Sequence, residues 1–219
     1  MGMTDNLLST GQWVVTLALF LLILVQAARS VRWRVLVSDN ALQHSFFGAA
    51  VALGFIWQLR AGIYPGLAIH IFGITVVTLM LGWGLAIFAG LLALAITVIT
   101  GREPVMMFAA NGFVTVMVPA LVTQGIMLWE RHRDFSNFFA YIFICGFFGA
   151  GMSVVVAGMV MCMMLWLSGV YEFSELVHDY LRYLPLFMLP EGFVNGAVVT
   201  GMMVFHPDRL TTLDQRRYR

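Results

Sequence analysis

The sequence predicts an all-α, polytopic membrane protein of about seven transmembrane helices, and three observations carry that reading. Apolar residues fill 61% of the 219 positions and charged residues only 11%, where a soluble domain carries about 25% charged residues. The apolar positions fall into runs near the ~20 residues needed to cross a hydrocarbon core. The charges collect between those runs, and the arginines favour one set of connections over the other.

Taken in order, the first span covers 12–28 and stops at Arg29, Arg32 and Arg34, with Trp33 as an interfacial anchor. No basic region precedes this run and no small-residue cleavage site follows it, so it is expected to be retained rather than removed as a signal peptide. Span two, 42–59, stops at Arg60. Span three begins after Pro65, contains His70 and reaches Leu81, and the Gly82-Trp83-Gly84 corner turns it into span four, which ends at Thr100. After the short polar turn 101–104, span five runs over 105–129 and halts at the charged stretch 130–134. The next apolar run, 137–170, has 34 residues and would measure about 50 Å as one helix, so it is either tilted and protruding or bent at Gly146, Gly149 and Gly151. The last span is 184–204.

Arginine placement chooses between one crossing and two in the long run. With one crossing, nine of the 12 arginines share a side and Arg60, Arg102 and Arg182 lie opposite. The positive-inside rule then gives an N-out, C-in protein with a single transmembrane helical domain over 1–205 and a cytoplasmic Arg-rich tail over 206–219. A hairpin would leave the four-Arg tail outside, so the single crossing is preferred.

Composition also excludes classes of function. The chain has no lysine at all, so it holds neither a Walker phosphate-binding lysine nor a Schiff base. It is expected to be a transport subunit without its own ATPase motif, not an enzyme. A net charge of +1 gives no reason to expect nucleic acid. Cys145 and Cys162, 17 positions apart, read as buried inert thiols.

Polar residues inside spans are expensive and mark function by default. At 1.5 Å per residue from the outer ends of their spans, His70 lies about 8 Å deep, Asn111 about 9 Å and Glu191 about 10 Å, with Asn195 deeper. A histidine, a carboxylate and a carboxamide at matching depth suit a divalent cation of borderline softness. His70, Asn111 and Glu191 are therefore the candidate metal ligands, against the alternative that each bonds a neighbouring helix. The outer loop adds Glu172, Glu175, His178 and Asp179, either an acidic lip that concentrates cations or a solvated amphipathic helix, with Glu175 and His178 sharing a face. Met159, Met161, Met163 and Met164 read as flexible apolar packing before soft ligands.

The stretches Ala68-Ile69-His70, Leu81-Gly82-Trp83 and Ala109-Ala110-Asn111 through Val118-Pro119, in that order and spacing, resemble the cobalt/nickel-type substrate-binding membrane subunits of energy-coupling-factor transporters, the CbiM/NikM family. The resemblance covers about 13–120. It implies an N-out, seven-span inner (plasma) membrane protein that captures a transition-metal cation from outside, nickel or cobalt ahead of copper or zinc. It also implies partners, a transmembrane coupling subunit and two cytoplasmic ATPases, and no tightly bound cofactor. In that family a second-residue histidine and the span-three histidine hold the metal. Residue two here is Gly2, so only His70 carries over, and Met1, Met3 or the outer carboxylates would supply further donors.

Other readings belong to different classes. His44 and His206, near the same side of the membrane, are candidate axial ligands for a haem-binding cytochrome subunit. An intramembrane hydrolase built on Ser153 lacks a histidine at matching depth. A scaffold that keeps the fold without metal transport is the fourth reading.

Overall fold

Several helix starts along this chain are fixed by polar caps, and the computed structural model describes residues 8–59, 61–64, 67–133, 135 and 137–213. Expectations resting on Met1, Gly2, Met3, Arg60, Pro65 and the last six residues of the tail lie outside this described set. Helix α1 (Thr10–Ser30) opens on a capping box, in which Gln12 N donates to Ser9 Oγ and Ser9 N to Gln12 Oε1. A short α2 (Trp33–Ser38) follows, and α3 (Asn40–Ile56) starts where Asp39 accepts from the backbone of Ala41 and Leu42. Gln43 reaches back to the carbonyls of Leu36 and Val37, which satisfies the last turn of α2.

The reading of span three as one helix from Pro65 is corrected here. Strands β1 (Ala61–Tyr64) and β2 (Leu67–Ile69) pair antiparallel, residues 70–73 have no regular secondary structure, and the helix itself, α4, is only Ile74–Leu81. Eight residues rise about 12 Å, less than half of a ~30 Å core. Gly73 is the physical reason: at φ 65° it takes the left-handed conformation, so helical hydrogen bonding cannot propagate back through it. The depth assigned to His70 by counting helical rise therefore does not hold.

Gly82, at φ 81°, turns α4 into α5 (Trp83–Ile99) without an intervening loop. Helices α6 (Val105–Arg133) and α7 (Phe138–Leu167) are the long ones, each relaxed by a π-helical stretch, Gly112–Met117 in α6 and Tyr141–Phe148 in α7. The run 137–170 thus forms one helix of 30 residues and no hairpin. A surface helix α8 (Phe173–Asp179) precedes α9 (Leu184–Phe205), which continues through Pro190. Among the described residues, Thr10–Ser30, Val105–Arg133, Phe138–Leu167 and Phe173–Phe205 are long and apolar enough to cross a membrane, with Trp83–Ile99 a shorter apolar helix.

Helix α7 packs against α6 and α9, α3 against α5, and α4 sits among α5, α6, α7 and α9. Large apolar side chains point outward along the long helices, including Leu22, Phe55, Phe143, Phe193 and Phe205. An outward apolar surface with polar groups turned inward is the inverse of a soluble fold, as lipid requires.

Candidate functional site

The site is built around the four non-helical residues 70–73. His70 is buried, and its ring lies 5.2 Å from the Trp57 ring and 5.5 Å from Phe72, centroid to centroid. Its Nδ1 is 3.2 Å from Ile71 O. With the proton on Nδ1 and donated there, the lone pair sits on Nε2, the tautomer of a metal-binding imidazole.

Two neighbouring elements fix this segment. The Trp57 indole, at the end of α3, donates from Nε1 to Phe72 O at 3.1 Å. From the other side, Glu191 on α9 accepts from Phe72 N and Gly73 N, both at 2.8 Å, through its two carboxyl oxygens. Asn195, one turn on, donates to Glu191 Oε1 at 2.8 Å and accepts from Val76 N at 3.0 Å. The opening N–H groups of a helix have no partner within it, and here α9 supplies partners for those of α4. Glu191 and Asn195 are buried, so the bonds form where water does not compete.

The carboxyl end of α4 is held as firmly. Thr212 Oγ1 donates to Leu79 O at 2.6 Å, and Thr211 N to Met80 O at 3.1 Å. Tyr141 Oη pairs with Thr212 Oγ1 at 2.8 Å, and Arg131 donates to Thr212 O. Between these ends, Thr75 on α4, Thr123 on α6 and Ser153 on α7 form a buried hydroxyl cluster, with Thr75 to Thr123 at 2.9 Å and Thr123 to Ser153 at 3.2 Å.

Of the three residues proposed as ligands, the structure brings Glu191 to the segment that carries His70, as the cap of α4. Asn111 is elsewhere: its amide donates to the buried Glu103 carboxyl at the start of α6. In the outer loop, Glu175 accepts from Glu172 N within a capping box, and His178 pairs with Asp179. Met159 and Met163 face outward while Met161 is buried, so the methionines form no single ligand face. Cys145 and Cys162 are both free and buried. Ser153 belongs to the hydroxyl cluster and also donates to Gly149 O at 2.8 Å. Among the described residues no group of three or more His, Cys, Asp or Glu side chains gathers to hold a metal ion.

Sequence reasoning missed four participants. Trp57 drew no reading from the sequence, and only its burial in the fold reveals the bond to Phe72. Glu103 read as part of a polar turn, although an acidic residue just before a helix is a recognisable signal. Thr211 and Thr212 read as tail.

The model of a family described as the cobalt uptake substrate-specific transmembrane region matches residues 3–209. Two crystal structures share the architecture at 19% identity. A truncated transition metal transporter superposes with a TM-score of 0.81 over 94% of this chain and 100% of its own. A second transition metal transporter gives 0.80 over 93% of each chain. At that identity they establish the fold. No curated protein matches the chain.

Proposed function

The chain belongs to the cobalt uptake substrate-specific transmembrane family, and from that premise we propose that it captures a transition-metal cation as the membrane subunit of an energy-coupling-factor-type importer. Membership makes it a membrane component of metal uptake. The finer parts of the reading are the cation, nickel or cobalt ahead of copper or zinc, and the partners, a transmembrane coupling subunit and cytoplasmic ATPases. An N-out, C-in orientation in the plasma membrane follows from the nine-to-three arginine division.

The observation that carries the proposal is His70 itself, an imidazole in a non-helical segment whose following peptide is held by Trp57 on one side and Glu191 on the other. His70 is the proposed donor to the metal. Glu191 and Asn195 are positioning residues, because their polar atoms bond the backbone around His70. Asn111 with Glu103 is a second buried polar pair, proposed to lie along the route of the cation. A borderline cation held by few strong donors is captured without being trapped, which an importer requires of its cargo.

Metal titration of the purified protein tests this directly, with Ni(II), Co(II), Cu(II) and Zn(II) in turn. Trp57 stands 5.2 Å from the His70 ring, so paramagnetic ions bound there quench tryptophan emission. His70→Ala is expected to weaken binding by at least about tenfold, the equivalent of one lost imidazole bond of ~1.4 kcal/mol or more. Equal affinity in the two proteins removes His70 from the site, and no binding by either removes metal capture from the isolated subunit.

A further inference from the structure

Because α4 is half the length of its neighbours, a groove is left open over its outer face, between α3 and α9. Its volume is about 490 Å³. The floor is Ile71, Gly73, Val76, Val77 and Met80, and the walls come from α3 residues 44–56 and α9 residues 194–202. From His44 to Ile56 an α-helix rises about 18 Å, close to the ~15 Å of one hydrocarbon leaflet.

The groove is apolar along this length apart from Ser45 and Asn195, whose amide is bonded to Glu191 and Val76, and its basic side chains gather at one end. There it is lined by His44 in the first turn of α3, His206 at the end of α9 and Arg209 in the turn Pro207–Arg209. All three are exposed. Asp208, between two of them in sequence, is not part of the lining. Arg209 carries a permanent positive charge with a fork of N–H donors, and the imidazoles add further hydrogen-bonding groups. An apolar trough of leaflet length, ending in an exposed arginine flanked by two imidazoles where α9 leaves the membrane, is complementary to an acyl chain attached to an anionic headgroup.

We infer that this groove binds an anionic phospholipid, its headgroup on Arg209, His206 and His44 and one acyl chain lying on α4. Gly73 and Asn195 both line the groove, so the bound chain packs against the residues that hold the His70 segment. The inference does not depend on which cation the protein carries.

The test uses the full-length protein in nanodiscs, with spin-labelled phosphatidylglycerol and phosphatidylcholine as probes of motionally restricted lipid. Phosphatidylglycerol is expected to be preferred about fivefold, the contribution of one Arg near an anionic surface, and the double variant His206→Gln, Arg209→Gln should abolish the preference. Gly48 lines the groove, and a Cβ there meets nothing within 4 Å. Gly48→Phe should therefore fold and reduce the restricted population of both lipids. Lack of a preference, a preference unchanged in the double variant, or a restricted population unchanged in Gly48→Phe overturns the inference. It is also overturned by a Soret band in the purified protein, which would put a haem between His44 and His206. Efficient cross-linking of Gly48→Cys to a co-produced membrane protein would give the groove to a partner helix instead.

Discussion

Glu191 is the residue through which the site's geometry passes. Its two oxygens accept from Phe72 N, Gly73 N and Asn195 Nδ2. A glutamine in its place accepts on one atom only and turns an N–H₂ group toward a backbone N–H. Glu191→Gln is therefore expected to cost about 2 kcal/mol, read as a lower unfolding temperature in detergent, and to weaken metal binding at His70 in the same titration. A stable variant with unchanged affinity would show that the cap and the site are independent. Gly73 is constrained in a different way, by φ 65° and by Leu53 Cδ2 lying 2.8 Å from where a Cβ would stand. Gly73→Ala should lose about 1–2 kcal/mol, and equal thermal stability would contradict the left-handed start of α4. At this scale the sequence marked His70, Asn111, Glu191 and Asn195 as costly buried polar groups. It did not reveal their partners, because Glu191 and Phe72 are 119 positions apart.

Among the elements, α4 depends most on others. An isolated helix of eight residues is unstable in water, since nucleation costs more than so few bonds return. Here both ends are satisfied from outside, the first turn by α9 and the last by the segment after it. The carboxyl end can be tested separately from the proposed metal site. Thr212→Val removes the hydroxyl that bonds Leu79 O and Tyr141 Oη, and a loss of about 1 kcal/mol is expected. Amide hydrogen exchange should show the last turn of α4 opening first in this variant. Protection unchanged there would mean that the tail does not hold α4. Hydropathy made 66–81 one span because a hairpin, a non-helical stretch and a half-length helix are equally apolar. Gly73 alone signalled the break, and an isolated glycine in an apolar run is a weak signal.

For the whole molecule, the family and the missing lysine point the same way. A chain with no lysine offers no Walker phosphate-binding lysine, and in the importer proposed above the energy for accumulation comes from partner ATPases. Cells producing this subunit alone should show metal uptake at background, with uptake restored on co-production of a coupling subunit and ATPases and lost again with His70→Ala. Full uptake by the subunit alone would refute the importer reading. The sequence by itself determined the membrane class, the apolar runs that become the long helices, a preference for one crossing in 137–170 and four of the buried polar residues, His70, Asn111, Glu191 and Asn195. Those properties depend on local composition and on the cost of polarity in lipid, both read along the chain. Only the tertiary structure decided that α4 is short, that Glu191 and Asn195 cap it, that Trp57 holds Phe72, and that a groove with His44, His206 and Arg209 at its end lies over α4. Each of these is a contact between segments remote in sequence, and no local pattern encodes which distant donor meets which acceptor.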